Sequence, residues 1–228
     1  MWDVYIYFSL LLLSLIFWII RFKHLQAGLR ILGLTLLINC IMEGYAAYLM
    51  FHMTNNLYLY NILIPVQYAL YALVFYTGLV GGKEIRLILL SIPLYLVVTL
   101  LIILHLQTFS EFNSYTRLMK DVLIACWALL YYREVFTGLR VIRLHKEPMF
   151  WISTGLFFYS LGSFFSDGFM DYLLGLSYKL AHMLYYINVF LGLLLNATFL
   201  IAFMFSKNHC RGYRDEPYAF NCAITKDA

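Results

Sequence analysis

Charge is what this sequence has least of. Asp, Glu, Lys and Arg make up 12% of its 228 residues, about half of the roughly one quarter that soluble domains carry. Hydrophobic residues reach 63% and the mean hydropathy is +0.78, so water is not the main solvent of this chain. Cysteine is also sparse, with four residues. Cys40 and Cys126 fall inside apolar stretches, while Cys210 and Cys222 belong to a polar C-terminal segment, so no disulfide framework is spelled out. His209 and Cys210 with Cys222 offer too few ligands for a zinc site. Nucleophile elbows of the Gly-x-Ser-x-Gly type are missing, as are glycine loops that cradle phosphate. The basic residues, despite a pI near 8.8, are scattered and form no clustered face, which excludes a nucleic-acid partner.

What is present is a succession of seven long apolar stretches, at about 4–20, 31–51, 57–80, 87–106, 117–136, 149–165 and 178–205. A helix needs about 20 apolar residues to cross a bilayer. The pattern predicts an all-α integral membrane bundle of seven transmembrane helices over residues 1–206, followed by a polar tail at 207–228. No room remains for a soluble domain of about 50 residues, the usual lower limit. The zone 166–177, with Asp167, Gly168 and Asp171, reads equally as a loop or as an extension of the sixth helix.

Thirteen of the sixteen Lys and Arg residues lie in alternate gaps: Arg21, Lys23 and Arg30; Lys83 and Arg86; Arg133, Arg140, Arg143 and Lys146; Lys207, Arg211, Arg214 and Lys226. The opposite side holds Arg117, Lys120 and Lys179. Cytoplasmic loops retain positive charge, so the expected topology has the N-terminus outside and the C-terminus in the cytoplasm of a bacterial inner membrane. Met1-Trp2-Asp3 lacks the basic start of a cleaved signal peptide, so the first stretch is expected to stay as an anchor. The lipid bilayer is the first expected partner. With this orientation the first three and last three helices run alike around a single fourth. Glu43 and Asn61 of one triplet loosely match Asp167 and Asn188 of the other. Identity between the triplets is too low to establish a repeat, though parallel repeats do build small transporters.

Chemistry should concentrate where polar side chains interrupt the apolar stretches. A carboxylate at the bilayer centre costs about 2.5–3.5 kcal/mol on insertion scales. Glu43, roughly 12 Å from the outer end of its helix at about 1.5 Å per residue, is therefore the leading candidate for binding a cation, a proton or a ligand amine. Asn39 lies one turn deeper on the same face. Asn61 and Gln67 descend beside them on the third helix, where Pro65 removes a backbone donor. The alternative role for Glu43 is to join two helices as a protonated hydrogen-bond partner. Tyr185, Asn188, Gly192 and Asn196 form a stripe on the seventh helix, and small residues of the sixth, such as Ser153, Gly155, Ser160 and Ser163, favour close packing. An outer rim of His52, His105 and His182 with Glu111, Asp121, Asp167 and Asp171 supplies metal-ligand types without a locking spacing. Retinal is excluded as a cofactor, because 180–206 contains no lysine and Lys179 stands at the helix mouth. No other cofactor is expected.

The stretch Pro148-Met149-Phe150-Trp151-Ile152-Ser153-Thr154-Gly155-Leu156-Phe157-Phe158-Tyr159 resembles one found in uncharacterised bacterial seven-helix membrane proteins. Ile187-Asn188-Val189 and Leu200-Ile201-Ala202-Phe203 are similar too, so the resemblance covers the last third of the chain. Such proteins are often encoded beside sensor histidine kinases or response regulators. The resemblance implies a receptor-like component that signals to a cytoplasmic partner. Two other functions fit the residues: a small solute or ion transporter built around Glu43, Gln67 and Asn188, and a metal-dependent membrane hydrolase using the outer histidines and aspartates.

Overall fold

A computed structural model describes residues 2–52, 56–105, 113–138, 144–176 and 178–212. Among them are seven helices and no strand: α1 (Trp2–Arg21), α2 (Ala27–Phe51), α3 (Leu57–Gly78), α4 (Gly82–His105), α5 (Ser114–Thr137), α6 (Pro148–Leu176) and α7 (Tyr178–Gly212). Short 3₁₀ turns, Phe22–His24 and Leu144–Lys146, precede α2 and α6. The side chains of Arg140, Arg143, Glu111, Asp171, Lys179 and everything beyond Ser206 lie outside the described set.

Five helices are long and apolar enough to cross a membrane: Ile6–His24, Ala27–Leu49, Leu57–Gly78, Gly82–His105 and His182–Ser206. The other two are less apolar for different reasons. Five charged residues, Arg117, Lys120, Asp121, Arg133 and Glu134, interrupt α5, and α6 is rich in serine and glycine. The sixth helix also outruns the expected end near 165. Asp167 lies on a buried face, where partners compensate it, so neither it nor Gly168 stops the helix.

Six helices pack as a ring in the order α1, α2, α3, α5, α6, α7 and back to α1, while α4 lies outside against α3 and α5. The placement of α4 follows from its composition. Its hydropathy of 2.9 is the highest of the five apolar helices, and its buried residues are only Ile88, Tyr95 and Thr99. Bond registers give the directions. Ser14 and Arg21 of α1 reach Asn196 and Phe203 of α7 at one sequence separation, 182, so these neighbours run parallel. Trp127 bonds Tyr68 and Glu134 bonds the Val80 amide at separations of 59 and 54, so α3 and α5 are also parallel. The ring is thus two triplets, α1–α2–α3 and α5–α6–α7, each with its middle helix antiparallel to its flanks.

One end of the ring, here the upper end, carries the α2–α3, α4–α5 and α6–α7 connections. The lower half holds the apolar core, where Leu32, Phe75, Ile152, Leu156, Phe199 and Phe203 are fully or almost fully buried in one cluster. Glycines bring α6 and α7 together: a Cβ on Gly155 would collide with Thr198, and one on Gly162 with Leu191.

Candidate functional site

The upper half of the ring is built around charge. Lys120 and Asp121 on α5 are 5% and 1% exposed, and Asp167 on α6 is 4% exposed. Lys120 Nζ lies 3.3 Å from Asp121 Oδ1, and Arg117 Nη1 lies 4.0 Å from Asp167 Oδ2. Ser163 Oγ and Asn188 Nδ2 each donate to Asp167 at 3.4 Å. The ion pair with Lys120 is the main compensation for the buried Asp121 carboxylate. Burial of a charge is tolerated only with such partners.

Glu43 faces this group from α2. The Tyr60 hydroxyl donates to its Oε2 at 3.1 Å, and Arg117 is within electrostatic reach. Arg117 also lies 5.9 Å from the centre of the Tyr60 ring, so one guanidinium contacts both Tyr60 and Asp167. Lys120 sits 5.9 Å from the Tyr159 ring centre. Both are cation–π contacts. Tyr7, Tyr71 and Tyr159 lie within electrostatic range of one another, and Tyr7 and Tyr159 within that of Glu43.

The expected polar residues separate into two groups. One turn below Glu43, Asn39 Oδ1 accepts a hydrogen bond from Gln67 Nε2 at 2.8 Å, which joins α2 to α3 as their register implied. Asn188 joins the charged group through Asp167. Asn61, 3% exposed, lines a groove of about 480 Å³ beside α4 with Pro65, Val66, Leu96, Thr99 and Leu100. Residues 60 and 61 stand about 100° apart around a helix of 3.6 residues per turn, so Tyr60 takes the place beside Glu43. Lower on α7, Asn196 donates to the Gly192 carbonyl at 2.9 Å, while Tyr185 is exposed.

The rim of histidines does not assemble. Among the described residues no three His, Cys, Asp or Glu side chains converge on a common point. His52 contacts the Tyr48 carbonyl and ring, His182 contacts Tyr185 and Tyr186, and His105 is exposed at the end of α4. Asp121 and Asp167 are in the interior and not on the rim, because Lys120 and Arg117 hold them there. Comparison with protein-family models, curated proteins and solved structures finds no match. The site therefore has to be read from its own chemistry.

Arg117 and Lys120, counted by charge with the outer side, lie in the first turns of α5 as the fifth stretch implied, with Lys120 buried and Arg117 partly exposed. A signal was available: Arg117, Lys120 and Asp121 lie at i, i+3 and i+4, continuing the buried stripe of Ile124, Ala128 and Tyr131.

Proposed function

We propose that the chain is a seven-span inner-membrane carrier for a small polar solute or ion, with the charged upper cluster as its binding site. One observation carries this reading: side chains from both triplets converge on one cluster, Glu43 and Tyr60 from the first and Arg117, Lys120, Asp121, Asp167 and Asn188 from the second. Carriers made of parallel repeats place their site between the repeats, and rocking of one repeat against the other gives alternating access. Each triplet contributes an acid on its middle helix, bonded by its third helix: Glu43 by Tyr60, Asp167 by Asn188. Buried ionisable groups in membranes mark solute paths because packing alone does not repay their cost.

Span number and orientation follow in this reading from lengths and charges. Helices of 24 and 29 residues reach about 36 and 43 Å at 1.5 Å per residue, enough for a core of about 30 Å, so α5 and α6 cross with their polar faces turned to the ring. With Arg117 and Lys120 assigned to the interior, Lys179 is the only cation left on the upper side. Arg21, Lys23, Arg30, Lys83, Arg86, Arg133 and Lys146 fall at the lower, cytoplasmic end. The tail 207–228 is then cytoplasmic.

Reconstituted vesicles with a trapped pH dye or labelled solute test the proposal. A saturable flux for one class among amines, sugars and organic acids is expected, reduced at least tenfold by Glu43→Gln. Failure of every class, together with a kinase that copurifies only while residues 207–228 are present, would replace the carrier with the receptor-like reading. That second reading is favoured by the lower half, where Phe75, Phe199 and Phe203 close into one apolar core beneath the cluster.

A further inference from the structure

Three independent features of the upper cluster restrict what it can hold. The first is charge. Among the described side chains, three carboxylates (Glu43, Asp121, Asp167) face two cations (Arg117, Lys120), and both cations have acidic neighbours on their own side of the ring. Glu43 is the acid without an ion pair of its own; its bonded partner is a neutral phenol. The second feature is a surplus of acceptors. The Oδ1 of Asn188 is buried without a hydrogen bond, as is the Ser160 hydroxyl on the α6 face that carries Ser163 and Asp167, while Asp121, 1% exposed, has Lys120 as its close charged partner. A buried acceptor calls for a donor. The third is aromatic. Tyr60 bonds Glu43 directly, and the rings of Tyr60 and Tyr159 each lie 5.9 Å from a protein cation.

An unpaired carboxylate, unpaired acceptors and electron-rich ring faces share one complement: a cation that carries N–H donors. An anion would meet excess negative charge. A sugar would leave the charge uncompensated. A bare alkali ion prefers a closed cage of oxygens at fixed distance over aromatic faces. We infer that the cluster binds a protonated primary amine, its ammonium held by Glu43 beside Tyr60. Arg117, which lies between Glu43 and Asp167, turns more fully to Asp167 as the amine takes over Glu43. This inference rests on the cluster being the binding site of the proposed carrier, and adds the class of solute.

The test uses the full chain purified in a mild detergent, with n-butylammonium chloride as probe. Thermal unfolding is followed against butylammonium, n-butyltrimethylammonium and potassium chloride at equal ionic strength. A saturable rise in Tm with butylammonium is expected. The trimethyl analogue, which has the charge but no N–H, should bind at least five times more weakly, and potassium should give no saturable rise. Glu43→Gln should weaken butylammonium at least tenfold, and Glu43→Asp, which keeps the charge, should weaken it less. The wild-type comparison stands even where a variant fails to fold. Equal binding of butylammonium and its trimethyl analogue, saturation by potassium, or no saturable rise with butylammonium would each overturn the inference. Vesicle flux separates the two levels. Amine binding without amine flux leaves this assignment standing and removes the carrier. Flux of a neutral or anionic solute without amine binding keeps the carrier and removes the assignment.

Discussion

The upper and lower halves of the ring are built from the same six helices, yet they solve opposite problems. In the lower half Leu32, Phe75, Ile152, Leu156, Phe199 and Phe203 interlock. Between helices in lipid such contacts work by close packing and not by escape from water, and this is why Gly155 lets α6 and α7 approach through Thr198. In the upper half Glu43, Arg117, Lys120, Asp121 and Asp167 occupy the equivalent space. Nothing in packing requires them, and each carries a desolvation cost that its partners offset. The contrast teaches that stability and chemistry are separated along the axis. One half holds the helices together by close packing, and the other holds charges whose burial depends on partners from neighbouring helices.

The comparison can be broken most forcefully at Lys120. Lys120→Met leaves Asp121 buried without its cation, a change that costs about 3–5 kcal/mol, while the double variant Lys120→Met with Asp121→Asn should recover most of that loss. Unfolding in detergent measures both. A single variant as stable as the wild type would mean that the upper half is wet and the charges are not truly interior.

A smaller loss is expected from Gly155→Val in the lower half. The added side chain meets Thr198, and overpacking of this kind costs about 1–3 kcal/mol. Because the change is remote from the charged cluster, stability should fall while butylammonium affinity stays within about twofold. Affinity that collapses with stability would show that the halves are not separable. The smallest effect belongs to the boundary between them. Gln67→Leu removes the bond to Asn39, and polar bonds between membrane helices average about 0.6 kcal/mol. A loss several times larger would reveal that Asn39 and Gln67 belong to the charged network and are more than a local clasp between α2 and α3.

The neighbours of Glu43 were partly legible before any coordinates. Asn39 and Gln67 could be paired because α2 and α3 are joined by a short connection and residues four apart share a helix face. Tyr60 could not be chosen over Asn61 by the same reasoning, since two adjacent residues at equal depth differ only in rotation, and helix rotation is set by neighbours. The surroundings of the α5 charges were hidden for a related reason. The fifth stretch, 117–136, already contained Arg117 and Lys120, but nothing local shows which helix faces they meet. Their acids, Asp121 and Asp167, lie four and 50 residues from Arg117, and the distant one is invisible to any local window. The end of α6 was obscured in the same way.

By itself the sequence determined that the chain is helical with several helices apolar enough to cross a membrane, and it supplied the charge pattern on which the proposed direction rests. These depend on how many apolar residues stand in a row and on which gaps hold cations, and both are local quantities. Only the tertiary structure decided that six helices close into a ring with α4 outside, that α1 and α7 lie parallel, and that Arg117 of α5 meets Asp167 of α6 within electrostatic range of Glu43 on α2. Those facts arise from which helix faces meet, and the free energy of a buried charge depends on partners contributed by other helices, however far away they lie in the chain.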